Sequence, residues 1–578
     1  MNIKKNLTWF VFIFLLYGCS EKINQEIQIS SQKNIQSKTH AFAAIAIPDQ
    51  YGAKISQDIL NQGGNAVDAA IAAGFSLAVT FIDAGNIGGG GFMTIKMDNE
   101  IAFLDYREKA PLAAHKDMYL DLNGNVIENS TLIGGQAVGV PGTVAGFWSA
   151  HQRFGKLPWK DLIEPAISLA EDGFLPAKIL VDDIYNSLNW FGDKTNFKTY
   201  FSSIKVKENF KQPELAQTLK RIAKFGADDF YRGETADLIV KQMLKSNGLI
   251  TKMDLEKYEA KWREPLRAKW REYEIISSPP PSSGGFAVIQ LLKMKDSLKH
   301  HFDGIGHNSP QYIHLVAEME KRVFADRAEY LGDPDFFDTN ITTLISDDYI
   351  ASRALEVNPE SISSLQGVSP GIESPNTTHY SIVDQWGNAV SNTYTINWNY
   401  GSGVVVEGAG FLLNNEMDDF SAKPGVPNIF GVVGNIANEI QPEKRMLSSM
   451  SPTIILKNNK VEMVLGTPGG STIFTSVFQV ITNIIDFKMS PYEAVKATRF
   501  HHQLLPEDEI TYNGFTINNP LPKEVIAKLG DYGYKTVPHS YDFGDVQVIM
   551  KDNESWIAAS DPRDRGDSRV FKVSLMAK

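Results

Sequence analysis

From Asn376 to Asp384, polar and apolar residues alternate loosely, and β-branched and aromatic types dominate. With Pro375 and Asn376 at its head as breakers, this stretch predicts a strand. Asp384 to Asn388 reads as a turn. Ala389 to Trp398 reads as a second strand, with Thr393, Thr395 and Asn397 on one face by the period of two. Together they predict a hairpin. Upstream, an Ala-rich helical pattern from Asp58 to Val79 breaks at Gly63-Gly64, with Asn65 as the cap of its second part. A strand-like run starts at Phe92. Trp159 to Asp172, Pro213 to Phe225, His314 to Tyr330 and Pro522 to Gly533 carry helical periodicity. Pro279 to Gly285 is a rigid loop that opens onto a helix from Phe286. No internal repeat is present.

The chain has 578 residues, 43% of them hydrophobic, which is ample for a large core and exceeds a usual single domain. Net charge is 56 − 68 = −12, with no basic tract, and this argues against a nucleic-acid partner. Residues 1–18 form a targeting segment: Lys4 and Lys5 precede an apolar run from Trp9 to Tyr17. That run is shorter than the ~20 residues needed to cross a bilayer. It leads to Cys19, the sole cysteine, and resembles a bacterial lipoprotein signal. An intrachain disulfide is therefore impossible. Residues 19–40 read as a flexible tether.

Several motifs invite chemistry. The glycine run Gly88 to Gly91 lacks the Lys-Ser/Thr of a phosphate loop and reads as close backbone packing before a strand. His314 and Glu318 lie one helical turn apart, but with no third ligand they read as a surface pair. Thr377 is the more demanding case. A threonine hydroxyl needs a base beside it, and a Thr that has become a chain N-terminus supplies its own amine. Such an amine titrates near ~7.7–8.0, which suits proton shuttling. Cleavage of the Asn376–Thr377 bond is then required. A Thr pair at a strand start is, on its own, ordinarily structural.

Thr377-Thr378-His379-Tyr380-Ser381 resembles the self-cleavage site of the gamma-glutamyltranspeptidases, N-terminal-nucleophile hydrolases that act on glutathione and related γ-glutamyl compounds. The resemblance runs from about residue 41 to the C-terminus. It implies an α/β fold, the four-layer αββα sandwich. It also implies a large subunit (41–376) and a small catalytic subunit (377–578) made from one precursor. Thr377 is then the nucleophile, supported by Thr395, with Asn397 binding substrate. Arg107 grips the substrate α-carboxylate together with Ser448 and Ser449. Asp419 and Glu416 hold the α-amine. Gly469 and Gly470 form the oxyanion hole.

The implied activity is self-cleavage, then transfer of a γ-glutamyl group from Thr377 to water, an amino acid or a dipeptide. No metal or organic cofactor is implied, and the implied location is the periplasm, through lipidated Cys19. Ser421 to Asn438 is the implied lid. Phe430 stands where some members carry a lid-tying Tyr, Trp398 replaces a small polar residue on the acceptor side, and Met446 replaces a proline. A cephalosporin-type acylase shares fold and nucleophile, and an uncleaved binding protein is a further alternative. The set Arg107, Asp419, Ser448 and Ser449 favours an α-amino acid head group.

Overall fold

A computed structural model describes residues 40–364, 377–423, 436–514, 521–539 and 543–574. The signal segment with Cys19, Asn376, and the part of the expected lid that holds Phe430 lie outside the described residues. Residues 42–571 form one unit, and the residues 40–41 and 572–574 group with the chain ends.

Two sheets organise the main unit. The first has the spatial order Asp567–Ser574, His40–Ile47, Thr378–Val383, Ala389–Thr395, Gly90–Met97, Glu100–Asp105, Lys261–Arg263. The second has the order Ser555–Ser560, Gln547–Asp552, Lys460–Gly466, Thr453–Lys457, Tyr273–Ser277, Leu266–Trp270. They stack face to face, with Ala44, Ala46, Val383, Ile454, Val464 and Ile549 in the shared core. Helices Ala66–Thr80 and Thr143–Phe154 cover the outer face of the first sheet. Helices Gly284–Ser297 and Thr472–Ile485 cover the second. This is the αββα sandwich that the resemblance implied.

The expected hairpin is at the centre of the first sheet, with Thr378 opposite Tyr394 and Val383 opposite Ala389. Its alternation separates two environments. Tyr380 and Tyr394 point to the covering helix, where their hydroxyls donate to Ala70 O at 2.9 Å and Gly74 O at 3.0 Å. Ser381 and Ser391 point to the second sheet and donate to Gln547 O and Leu465 O. Polar groups are tolerated between the sheets because each has a partner. Gly466 lies beneath His379, and a Cβ there would meet the His379 ring at 2.3 Å.

The Ala-rich pattern divides into helices Gln50–Asn61 and Ala66–Thr80. Asn65 caps the second: its side chain accepts from Asp68 N at 2.9 Å, and the Asp68 carboxylate accepts from Asn65 N at 3.0 Å. The glycine run packs closely, as expected. A Cβ on Gly89 would lie 2.0 Å from Thr395 O, and one on Gly90 2.5 Å from Tyr106 O.

Two expectations are corrected. The second hairpin strand ends at Thr395, short of Trp398, because Asn397 takes a left-handed backbone with φ of 72°. His314 and Glu318 are not a surface pair, since both are fully buried. Helix Pro310–Tyr330 runs through the interior and pairs its own charges: Glu318 accepts from Lys321 at 3.1 Å and Arg322 at 3.0 Å. His314 meets Asn358 O at 2.8 Å. A buried carboxylate is tolerable when cations and donors surround it.

Candidate active site

Thr377 stands one residue before its strand, so the hairpin register carries it opposite Thr395. Its hydroxyl donates to the Thr395 hydroxyl at 3.4 Å. The Thr395 oxygen also accepts the Asn397 amide at 2.7 Å. That bond holds the left-handed turn at Asn397, a conformation that Asn adopts more readily than most residues. Asn397 Nδ2 then donates to Asn415 O at 3.1 Å. The turn therefore ties the end of the hairpin to the acidic stretch Glu416–Asp419, which is a short 3-10 helix rather than an exposed loop.

Arg107 emerges at the end of strand Glu100–Asp105 and is 1% exposed. Its guanidinium donates to the Glu416 and Asp419 carboxylates. It also donates to Met446 O and Leu447 O, each at 3.3 Å. Those carbonyls belong to the residues just before Ser448 and Ser449, so the serine pair sits beside the guanidinium. Neither serine hydroxyl bonds it: Ser448 Oγ accepts from Met450 N at 3.1 Å, and Ser449 Oγ accepts from Arg327 at 3.4 Å.

A third carboxylate, Glu108, lies 3.6 Å from Arg107 and is fully buried. Burial pushes Glu108 up to about 7, against the pull of Arg107. Burial likewise raises Glu416 well above the usual carboxylate range and raises Asp419. Burial alone would lower Arg107, but Glu416, Asp419 and Glu108 outweigh it and raise it. One cation faces three acids, so burial and mutual repulsion together disfavour charge on all three at once. Sequence reasoning missed Glu108, because a Glu between Arg107 and Lys109 carries the signature of a solvated charge run.

The chain leaves strand Lys460–Gly466 through Thr467, Pro468, Gly469 and Gly470. Gly469 and Gly470 have φ of 129° and 55°, in the region that side chains disfavour. Their carbonyls accept from the first turn of helix Thr472–Ile485, whereas their amides have no acceptor among the described residues. Pro468 and Thr377 line one wall of a cavity of about 260 Å³. Its other walls include Asp83, Asp183, Asn399 and Arg565. Asp183 is pushed up to about 6 by burial and then by Asp83. Asn399, not Trp398, lines this cavity.

The structure thus joins Thr377, Thr395 and Asn397 by hydrogen bonds, and joins Arg107, Glu416 and Asp419 by ion pairs. Ser448 and Ser449 adjoin the second group, and the Gly469-Gly470 turn follows Pro468 at the cavity wall.

A family model described as gamma-glutamyltranspeptidase matches residues 52–571. The glutathione hydrolase proenzyme of Pseudomonas aeruginosa is 56% identical over 529 residues, covering 92% of this chain and 94% of that protein. Among solved structures, the gamma-glutamyltranspeptidase of Pseudomonas nitroreducens complexed with L-DON shares 56% identity. The match has a TM-score of 0.54 and covers 55% of this chain and 95% of that one. A cephalosporin acylase from Bacillus halodurans shares 25% identity, with a TM-score of 0.79, over 92% of this chain and 96% of that one.

Proposed function

This chain belongs to the gamma-glutamyltranspeptidase family, and on that premise we propose that Thr377 carries both of its reactions. The protein is a γ-glutamyl hydrolase and transferase made as a proenzyme, with glutathione and related γ-glutamyl compounds as substrates. The observation that carries the assignment to Thr377 is its hydroxyl, bonded to Thr395 at 3.4 Å on the wall of a cavity.

In the first reaction, the Thr377 hydroxyl attacks the Asn376 carbonyl. The acyl group moves from nitrogen to oxygen, and water hydrolyses the ester. The products are a large subunit ending at Asn376 and a small one starting at Thr377, with a free amine.

In the second, the amine takes the hydroxyl proton as Thr377 attacks the γ-carbonyl of glutathione. A γ-glutamyl ester forms, and the proton passes to the departing nitrogen of cysteinylglycine. The Gly469 and Gly470 amides hold the oxyanion. Water then yields glutamate, or an amino acid or dipeptide takes the γ-glutamyl group. The cavity beside Thr377 is the route for the leaving peptide and the acceptor.

The substrate head group binds by exchange. Asp419 is 15% exposed at its side chain and Glu416 only 1%. Asp419 therefore yields its place on Arg107 to the substrate α-carboxylate, which Ser448 and Ser449 also hold, and turns to the α-ammonium. Glu416 stays on Arg107 and acts on the amine through charge. An acylase for side chains without an α-amino acid head group would have no use for this paired cation and acid. Export to the periplasm with a lipid on Cys19 completes the proposal. Among the described residues no helix is long and apolar enough to cross a membrane.

The test is intact mass and γ-glutamyl anilide turnover for the wild type beside Thr377→Ala. The expected result is two fragments and turnover in the wild type, with a single inactive chain in the variant. Cleavage without anilide turnover would point to the acylase. An uncut wild-type chain would leave a binding protein.

A further inference from the structure

Asp545 lines the same cavity as Thr377. It is 5% exposed, and neither carboxylate oxygen has a hydrogen-bond partner. An orphaned buried carboxylate is costly and calls for an explanation. The backbone fixes its place. Gly544 packs so tightly on the Thr467–Gly469 loop that a Cβ would lie 2.1 Å from Thr467 Oγ1 and 2.3 Å from Pro468 O. Asp545 is thus held beside the turn proposed to bind the oxyanion.

The charged groups that face Asp545 do not satisfy it. Asp561 is committed to Arg499 at 2.7 Å and Arg563 at 2.8 Å. Arg565 pairs with Asp83 at 2.6 Å. Asp564 repels it. Gln547 Nε2 donates to the Asp545 backbone carbonyl at 3.4 Å and favours the charged carboxylate without completing a hydrogen bond to it. While residue 377 is still inside a peptide, the cavity therefore holds a carboxylate with no hydrogen-bond partner, and Arg565 on its wall is already paired with Asp83. Cleavage before Thr377 creates an amine with three potential donors on the wall of that cavity.

We propose that Asp545 is a positioning residue that receives the amine released at Thr377, holds it for proton transfer, and sets the pH range in which it acts as a base. This rests on the reading of Thr377 as a self-cleaved nucleophile. In the resting mature enzyme the carboxylate accepts from the ammonium. On the way to acylation the ammonium gives one proton to solvent and becomes the base. It then takes the Thr377 hydroxyl proton, is again an ammonium held by Asp545, and passes that proton to the departing nitrogen. A neighbouring carboxylate stabilises the charged amine and raises its pKa above the ordinary ~7.7–8.0.

The experiment is hydrolysis of a γ-glutamyl anilide without acceptor, with kcat/KM followed against pH for wild type, Asp545→Asn and Asp545→Ser. Cleavage is verified by mass. Both variants should cleave, and their acid-side midpoint should fall by about one pH unit. An unmoved midpoint in fully cleaved variants overturns the proposal. So does an unmoved midpoint with a raised KM for glycylglycine, since the carboxylate would then serve the acceptor's ammonium. If the variants do not fold, nitrogen NMR of the wild type labelled at threonine decides: an amine titrating at or below ~8 overturns the proposal. A wild type that never cleaves fails the reading of Thr377 and is distinguishable from all of these.

Discussion

Thr377 donates to Thr395 across the open end of the hairpin, and Thr395 in turn accepts the backbone of Asn397. The proposed nucleophile is thus oriented by a residue that is itself fixed by the main chain. Thr395→Ala should lower kcat about 10- to 100-fold, the worth of a hydrogen bond to a group that becomes charged. Thr395→Ser keeps the oxygen and should keep most of the activity. Steady-state kinetics of cleaved protein check this, and equal rates for Ala and Ser would reject the orienting role.

Gly469→Ala should fold and bind substrate but turn over about 10²- to 10³-fold more slowly, the usual effect of a lost oxyanion donor. The added Cβ would stand 2.5 Å from Thr472 Oγ1 and force the turn at φ of 129° to shift. The expected signature is a fall in kcat with KM nearly constant, and a rise in KM alone would contradict it.

Arg107→Lys keeps the charge and loses the planar fork that spans Glu416 and Asp419. KM for the γ-glutamyl donor should rise about 10- to 100-fold, the worth of one to two charge-assisted bonds. Inhibition by free glutamate should weaken in parallel. Unchanged affinity would remove Arg107 from head-group binding.

Glu108 makes stability depend on pH. Its carboxyl is held near 7 in the folded protein, against an ordinary value near 4.5. The folded state therefore binds more protons than the unfolded chain between those values, and stability from this group falls as pH rises through that window. Glu108→Gln should flatten that fall, leaving Tm close to wild type at pH 5 and above it beyond pH 7.5. A parallel pair of Tm curves would show that Glu108 is not the group responsible.

The legible parts of this chain were those governed by local rules. Asn65 announced a cap, and the alternation from Thr378 to Val383 announced a strand. Thr377 and Thr395 fell opposite each other because a hairpin register does little else. Asn397 broke the pattern, since the hydrogen bond that turns it left-handed comes from Thr395 and is invisible in a period of two. Glu108, Glu318 and His314 looked like surface positions because segments distant in sequence bury them: Glu416 lies beside the first, and Ser363 and Tyr534 bond the others, while Glu318 also pairs with Lys321 and Arg322 on its own helix. Burial of a charge is a property of three-dimensional neighbours, which a linear pattern does not encode. The resemblance supplied Arg107 and Asp419, and the geometry then showed them bonded to each other.

In the first sheet, Ala44–Ala46 pairs with Ser381–Val383, and Gly90–Lys96 pairs with Ala389–Thr395. Segments from before and after Thr377 therefore alternate across one ladder. Breaking the chain at residue 377 leaves every one of these bonds in place, and no plane through the sheet divides one product from the other. Separation of the two pieces is then the same event as loss of the native state. A molecule nicked there should melt in one transition whose midpoint falls on dilution, since losing the native state frees two chains.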